Sequence, residues 1–160
     1  MELTIEYIAG FFDGEGSAGI YGANRKWDGS AASVLVQITQ YSDELQEELL
    51  QTLSQMYGGK VRRVTNGGKN ALLWALGGQA AIDFLTAIEP HCHLKREQIQ
   101  IILNWKSEHE GAKRDEKGRV VKLSDAQVEK NRIAMCKVRD LKKTRRERVY
   151  RGDMSDENTA

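Results

Sequence analysis

Two carboxylates near the start of the chain have the residue types and spacing to do chemistry. Asp13 and Glu15 follow residues 4–12, in which apolar side chains recur at helical spacing. The acids therefore lie at the C-terminal end of a predicted helix, where an acid is disfavoured by roughly 0.3–1 kcal/mol. Carboxylates and backbone carbonyls are the ligands that Mg2+ accepts, so this placement predicts a divalent-metal site. The alternative is a helix with a glycine C-cap and two solvated acids.

The helix that carries these acids is predicted to have two different surfaces. Thr4 is its predicted N-cap, and Ile8 and Phe12 belong to an apolar stripe that faces the core. Gly10 and Gly14 leave another part of the surface nearly bare, so a second helix can come close there. If that surface pairs with its own copy about a two-fold axis, four acids meet, and their repulsion requires cations.

The residues around these acids resemble a known signature. Residues 8–16 are similar to the motif of the LAGLIDADG homing endonucleases, with Glu15 where the family more often has a second Asp. In that family the motif helices pack against each other at the centre of the active enzyme, and the last acid of each motif binds divalent metal. The matching positions are Ala9, Gly10, Asp13 and Gly16.

The resemblance implies roles for further residues of the chain. It implies that Glu15 and Gly14 bind the metal and that Asp13 has a supporting or capping role. It also implies that Gln40 helps to order water near the metal and that Lys95 lies near the scissile phosphate. The implied catalytic set is Glu15, Gln40, Lys95 and Asp13, and the implied dimer interface is Ile8, Ala9, Gly10 and Phe11.

The elements that must position these residues follow from the pattern of the remaining chain. Residues 17–21 and 34–41 have the alternation of a hairpin with one buried face. Residues 60–66 and 71–76 flank Gly67-Gly68, which is typical of a second hairpin. After the first helix, further helices are predicted at residues 43–57, with Ser42 as the N-cap, and at residues 79–88, 94–108 and 124–148.

This order predicts an α+β fold with an αββαββα core and additional C-terminal helices. Four antiparallel strands with helices on one face leave the other face uncovered. The resemblance implies that the sheet is saddle-shaped and lies over DNA, and that a chain with one motif and no internal repeat works as a homodimer. We expect an endonuclease core at residues 1–108, a loop at 109–123, a basic helix at 124–151 and a flexible tail at 152–160.

The uncovered face of the sheet is where we expect double-stranded DNA to bind. Alternate strand residues would reach base edges in the major groove, and the loops would hold phosphates. Arg62 suits guanine and Gln37 suits adenine. The residues predicted to contact DNA are Tyr21, Arg25, Lys26, Ser33, Gln37, Thr39, Arg62, Arg63, Lys69, Asn70 and Trp74.

Composition and charge narrow the class of protein. The chain has 160 residues, 40% of them hydrophobic, and contains no apolar run long enough for a membrane span or a secretion signal. We therefore expect an intracellular protein of a bacterial cytoplasm or an organelle, with Cys92 and Cys136 as reduced thiols. The net charge is only +1, but residues 128–151 contain ten Lys or Arg against three acids. Such a helix is typical of further phosphate contacts or of a solvated face.

The predicted function is that of a homodimeric, sequence-specific DNA endonuclease of the homing type, such as those encoded in introns. Divalent metal held by few carboxylates supplies what phosphodiester hydrolysis needs. We expect Mg2+, with Mn2+ able to substitute and Ca2+ supporting no cleavage. One alternative is a non-catalytic binder on the same fold, either an intron maturase recognising RNA or a DNA-binding regulator. Another is a small α+β protein whose basic helix binds partners unrelated to DNA.

Overall fold

A computed structural model describes residues 2–22, 32–108, 116 and 123–151, with side chains through residue 144 in the last helix. The predictions for Arg25, Lys26 and the tail at 152–160 lie outside these residues, as does most of the predicted loop at 109–123. The elements in chain order are α1 (Ile5–Glu15), β1 (Gly16–Gly22), β2 (Ala32–Tyr41), α2 (Glu44–Tyr57), β3 (Lys60–Asn66), β4 (Lys69–Gly77), α3 (Gly78–Ile88), a short 3-10 helix (Glu89–His91), α4 (Arg96–Glu108) and α5 (Asp125–Arg151). The predicted α+β fold with its αββαββα core and C-terminal helices is confirmed.

The strands form one antiparallel sheet in the order β1-β2-β4-β3. β2 lies inside the sheet, where Val36 pairs with Ala18 of β1 and Ile38 pairs with Trp74 of β4. Gly67 and Gly68 join β3 to β4 with φ values of 56° and 79°. These are the values of a two-residue type I′ turn, which requires positive φ at both positions and which glycine adopts without strain.

The sheet has one covered face and one open face. On the covered face, Val36, Ile38 and Trp74 are at most 1% exposed, and α1, α2 and α3 pack against these strands. Successive strand residues point to opposite faces, so the neighbours of these residues lie on the open face. The open-face positions include Ser17, Gly19 and Tyr21 of β1, Ser33, Leu35, Gln37, Thr39 and Tyr41 of β2, Lys60 and Arg62 of β3, and Lys69, Leu73 and Ala75 of β4.

Phe84 of α3 joins three other elements at the centre of the core. Its ring makes edge-to-face contacts with Phe12 of α1, Tyr57 of α2 and Trp74 of β4, with centroid distances of 5.5, 5.0 and 5.2 Å. Each such pair contributes about 0.5–1.5 kcal/mol beyond the burial of apolar area. The Trp74 indole N–H donates to the Gly58 carbonyl at 3.0 Å, so its polar atom is satisfied. This cluster fixes α1 relative to the sheet.

The starts of α1 and α2 test the predicted helix caps. Thr4 caps α1 with its side chain, as predicted. The prediction of Ser42 as the cap of α2 is wrong by one residue, because the Asp43 carboxylate accepts the Gln46 backbone N–H at 2.8 Å. The Ser42 backbone N–H donates to the Asn70 carbonyl at 3.2 Å. The Ser42 N–H therefore continues the hydrogen bonding between β2 and β4 by one residue beyond Tyr41.

Two predictions drawn from composition can be compared with the structure. Cys92 and Cys136 are both free thiols, as predicted. Cys92 is buried, and its burial, reinforced by the negative charge of Asp13, raises the pKa of the thiol to about 12. In the part of the chain that the structure describes, no helix combines the length and the apolar character that crossing a membrane requires.

Candidate functional site

The end of α1 and the start of α4 are joined by hydrogen bonds in both directions. The Asp13 carboxylate accepts backbone N–H bonds from His93 at 2.6 Å and from Leu94 and Lys95 at 2.9 Å. The Lys95 amine donates to the Phe12 carbonyl at 3.0 Å and also to the Asp13 carbonyl. Each side chain therefore binds backbone groups at or next to the end of the other helix, and the Phe12 carbonyl also accepts the Gly16 backbone N–H.

These contacts explain why Asp13 tolerates burial. Its side chain is 6% exposed. Burial is the largest single influence and raises its pKa, but the three backbone donors and the charge of Lys95 together hold the pKa of Asp13 below its ordinary value. The sequence argument that this acid is unfavourably placed is wrong, because the end of α1 meets the N-terminal end of α4. We therefore treat Asp13 as a positioning residue and not as a catalytic one.

Glu15 differs from Asp13, because it is exposed. It is the last residue of α1, and Gly14 before it is also exposed. A carboxylate and a backbone carbonyl are hard oxygen ligands, so this pair would suit Mg2+ in chemical type. Among the described residues, no group of three or more His, Cys, Asp or Glu side chains could hold a metal ion.

Gln40 lies next to the point where α1 passes into β1. Gly16 pairs with Ile38 in the β1–β2 ladder, and Gln40 is two residues further along β2. Its register partner is Leu72, which places it on the covered face of the sheet. The side-chain nitrogen of Gln40 is buried and has no hydrogen-bond partner in the described part of the chain. Such a group costs about 1–3 kcal/mol unless another acceptor reaches it.

The sequence-predicted site residues thus come together at the end of α1. Glu15 and Gly14 end the helix, Lys95 contacts the carbonyls of the preceding turn, and Gln40 is adjacent by strand register. Their catalytic and metal-binding roles stay predictions. The arrangement places an exposed carboxylate, a lysine that is bonded to backbone carbonyls and an unsatisfied amide donor at the end of α1.

Most of the predicted DNA contacts lie on the open face. Thr39 of β2 and Arg62 of β3 pair with Leu73 of β4 from opposite sides, so the two polar side chains flank an apolar one. The spacing across one ladder is about 5 Å, so neighbouring side chains on the open face are close enough to contact each other. The predicted residues at open-face positions are Tyr21, Ser33, Gln37, Thr39, Arg62 and Lys69.

Three of the residues predicted to contact DNA do not lie on the open face. Trp74 is 0% exposed in the core, so its prediction is wrong. Arg63 is on the covered side, where its guanidinium binds the Glu47 carboxylate of α2 at 3.0 Å. Asn70 pairs with Thr65 and shares the phase of the covered face, although it is exposed beyond the end of the core. These positions lie one residue out of phase with the open face.

Two residues beside the open face are not among the predicted DNA contacts. Tyr41 is 57% exposed, and the Lys69 amine lies 5.4 Å from the centroid of its ring. Tyr41 continues the alternation of Gln37 and Thr39, so the two-residue period of β2 was sufficient to find it. Lys142 of α5 lies against β1. No local pattern indicates which strand a C-terminal helix contacts.

The exposed surface of α1 differs from the predicted dimer interface. Ile8 and Ala9 are 1% and 0% exposed because they face the core of their own chain. At Gly10 and Gly14 an added Cβ would meet no described residue within 4 Å. The residues of α1 that a partner helix could contact are Tyr7, Gly10, Phe11 and Gly14.

Solved structures share this fold. The LAGLIDADG homing endonuclease I-GzeII, in complex with its DNA target, is 18% identical over 86% of this chain and 43% of that chain, with a TM-score of 0.57. The homing endonuclease I-TnaI is 19% identical over 68% of this chain and 76% of that chain, with a TM-score of 0.52. The homing endonuclease I-CvuI, with an uncleaved DNA target and Mg, is 19% identical over 84% of this chain and 93% of that chain, with a TM-score of 0.51.

In a second structure of I-CvuI, bound to its own target in the presence of Ca, the match is 23% identical and covers 64% of this chain and 65% of that chain, with a TM-score of 0.51. The chain thus spans less than half of I-GzeII and between 65% and 93% of I-CvuI. No protein-family model and no curated protein sequence matches the chain.

Proposed function

We propose that this chain, which has the fold of the LAGLIDADG homing endonucleases, is one subunit of a homodimeric, metal-dependent, sequence-specific DNA endonuclease. The observation that carries the proposal is the junction of α1 and β1. There the exposed Glu15 ends the helix, and Ser17, two residues later, is the first open-face position of the sheet. The proposed metal ligand and the open face of the sheet therefore adjoin within a few residues.

The bare surface of α1 supports a dimer. Gly10 and Gly14 are one helical turn apart, so the backbone of a second helix can approach closely at both. Glycine inside a helix costs roughly 0.5–1 kcal/mol relative to alanine. The described residues leave space for a Cβ at both positions, so no contact among them offsets that cost. Pairing with the α1 of a second copy would offset it and would bring two Glu15 carboxylates towards one point.

The chemistry proposed for this site is hydrolysis of a phosphodiester. A bound divalent cation supplies charge neutralisation at the phosphate oxygens and a more acidic water. The Glu15 carboxylate and the Gly14 carbonyl would hold the cation. The unpartnered amide nitrogen of Gln40 would orient a water molecule at the same end of α1. Lys95 would keep the last turn of α1 in place and contribute positive charge near the phosphate.

Sequence recognition is assigned to the open face of the sheet. Arg62 can bind guanine and Gln37 can bind adenine with two hydrogen bonds each, and such pairs are worth about 1–3 kcal/mol of discrimination. Leu73 between Thr39 and Arg62 offers an apolar contact for a thymine methyl group. A two-fold symmetric dimer would read a long, nearly palindromic site and would cut one strand with each active site.

Cleavage selection from a random duplex library in Mg2+ tests the proposal. We expect the wild-type protein to enrich one nearly palindromic sequence cut on both strands. Glu15→Gln should fold and bind that sequence in Ca2+ but lose more than about 100-fold in cleavage rate, since even outer-shell changes at metal sites cost 10–100-fold. The matched control is Glu108→Gln, an exposed acid at the other end of α4 from Lys95. Full-rate cleavage by Glu15→Gln would refute the metal assignment.

A different outcome would favour the second candidate. Glu15 carries one methylene more than the Asp usual in the motif, which displaces the carboxylate by about one C–C bond of 1.5 Å. A folded dimer that binds duplex DNA but enriches no cleaved sequence from the library in Mg2+ would identify a non-catalytic DNA binder. Tighter binding to intron RNA than to duplex DNA would identify a maturase.

A further inference from the structure

The C-terminal helix lies beside the open face, along β1. The Lys142 amine donates to the Ser17 hydroxyl at 3.1 Å and to the Tyr21 hydroxyl at 3.4 Å, and it lies 5.7 Å from the centroid of the Tyr21 ring. Ser17 and Tyr21 alternate along β1 with the buried Ala18 and Ile20. Both hydroxyl side chains are therefore on the open face, and α5 borders the surface that we assign to DNA.

Gly19 determines how Tyr21 lies on this surface. A Cβ at Gly19 would be 2.7 Å from a ring carbon of Tyr21 and 2.9 Å from its hydroxyl oxygen, which is closer than side chains tolerate. The ring therefore lies along the strand over Gly19 and directs its hydroxyl to Lys142 of α5. Tyr21 thus forms part of the contact between the sheet and α5.

A basic cavity of about 370 Å³ lies between α5 and β1, beside the contacts of Lys142. Arg139 in its wall contacts Asp140 at 3.1 Å, so part of its charge is balanced. The hydroxyl partners of Lys142 are uncharged, so they leave its positive charge in place. The polar or small residues that line the cavity are Ser17, Gly19, Tyr21, Arg139, Lys142 and Lys143.

We propose that this cavity binds a phosphate group of the DNA backbone, so that α5 holds the duplex from the β1 side while the sheet reads base edges. The inference rests on the proposed function, because it presupposes duplex DNA on the open face. A backbone phosphate carries one negative charge and two acceptor oxygens. Lys142 supplies charge and an N–H donor, and the Ser17 hydroxyl can donate its hydrogen. Lys143 lines the same cavity, and the sequence continues with Arg145, Arg146, Arg148 and Arg151.

The salt dependence of DNA binding tests this site. Binding of a fluorescein-labelled duplex of mixed sequence is followed by anisotropy in Ca2+ at several KCl concentrations. Each neutralised phosphate contributes about −0.9 to the slope of log K against log salt. Lys142→Met should reduce the steepness by about 1 for each subunit, hence about 2 for a dimer, whereas Lys142→Arg should keep the wild-type slope.

Lys137→Met is the matched control, because Lys137 is an exposed lysine of α5 that faces the groove shared with α4. Its slope should equal that of the wild type. Lys143→Met, which alters the same cavity, should also give a shallower slope, and it decides the question if Lys142→Met does not fold. Circular dichroism of each variant reports folding.

The outcomes separate this inference from the proposed function. Wild-type protein that cleaves DNA, together with Lys142→Met and Lys143→Met slopes equal to that of Lys137→Met, would refute the phosphate site alone. Weaker binding by Lys142→Met at an unchanged slope would likewise refute it, since that result identifies a packing role. Wild-type protein without salt-dependent affinity for the duplex would refute both the site and the proposed function.

Discussion

Asp13 and Lys95 cap each other's helices. The Asp13 carboxylate accepts the Lys95 backbone N–H at 2.9 Å, and the Lys95 amine donates to the carbonyls of Phe12 and Asp13. Each residue alone is at the unfavourable end of its own helix, but the two ends face each other, so both charges are stabilised by the opposite dipole. These contacts fix the end of α1, and with it the exposed Glu15, relative to the start of α4.

The first prediction concerns acid stability. Because the pKa of Asp13 is lowered in the folded protein, its contribution is complete above the unfolded pKa of about 3.9 and is lost as pH falls through the folded pKa. Asp13→Asn should lower the free energy of unfolding by about 2 kcal/mol at neutral pH, and the difference from wild type should shrink on acidification. Urea unfolding of both proteins, from neutral pH to below about 3.9, measures this difference. Asp83→Asn, at an exposed acid, is the control, and a difference that does not vary with pH would contradict the prediction.

The second prediction concerns Lys95. Lys95→Met keeps the aliphatic stem but removes the donor to the carbonyls of α1 and the charge beside Asp13. We expect the pKa of Asp13 to rise towards its ordinary value, which an NMR titration of its carboxyl carbon detects. Cleavage should fall more than DNA affinity does, and Lys95→Arg should restore part of both. An unchanged Asp13 titration in a folded Lys95→Met protein would show that the amine does not act through this acid.

The third prediction is that one substitution in α1 stabilises the subunit and weakens the dimer. Gly10→Ala should raise the free energy of unfolding of the subunit by up to about 1 kcal/mol, since alanine favours a helix and no atom lies within 4 Å of the new Cβ. The same change should weaken the dimer, which sedimentation velocity measures over a concentration series. Gln51→Ala, at an exposed position of α2, should leave assembly unchanged. A Gly10→Ala protein that dimerises as tightly as wild type would exclude this surface of α1 as the interface.

The fourth prediction compares two neighbouring arginines of β3. Arg62 is on the open face, whereas Arg63 is on the covered side and binds Glu47. Arg62→Ala should relax base preference at one position of each half-site by about 1–3 kcal/mol. Arg63→Ala should leave base preference unchanged and cost at most about 1 kcal/mol of stability, because its ion pair is exposed. Cleavage selection with both variants distinguishes them, and equal profiles would contradict the assignment of faces.

The order of elements could be predicted because the relevant signals are local. The alternation of Val34, Val36 and Ile38 gives the period of β2, and the pair Gly67-Gly68 between two strand-like segments indicates a tight hairpin turn. Trp74 was misassigned because residues 71–76 are apolar at every position, so no alternation marks the buried face of β4. The register with Val61 and Ile38 resolves that ambiguity only in the folded sheet.

The site itself was only partly accessible to sequence reasoning. The exposed Glu15 agrees with its predicted position at the end of a helix, but the partners of Asp13 lie 80–82 residues away in sequence. No helical or strand period encodes such a contact. The contact of Lys142 with Tyr21 spans 121 residues, so the docking of α5 on β1 was equally hidden.

The strict separation of the two sheet faces has an evolutionary consequence. Residues such as Gln37 and Arg62 make no contribution to the aromatic cluster around Phe84, because they project from the opposite side of the same strands. Side chains on the open face can therefore change one at a time during evolution with little effect on the free energy of unfolding. On this scaffold, a change on the open face is limited by how well the altered surface fits what it binds, and the interior places little constraint on it.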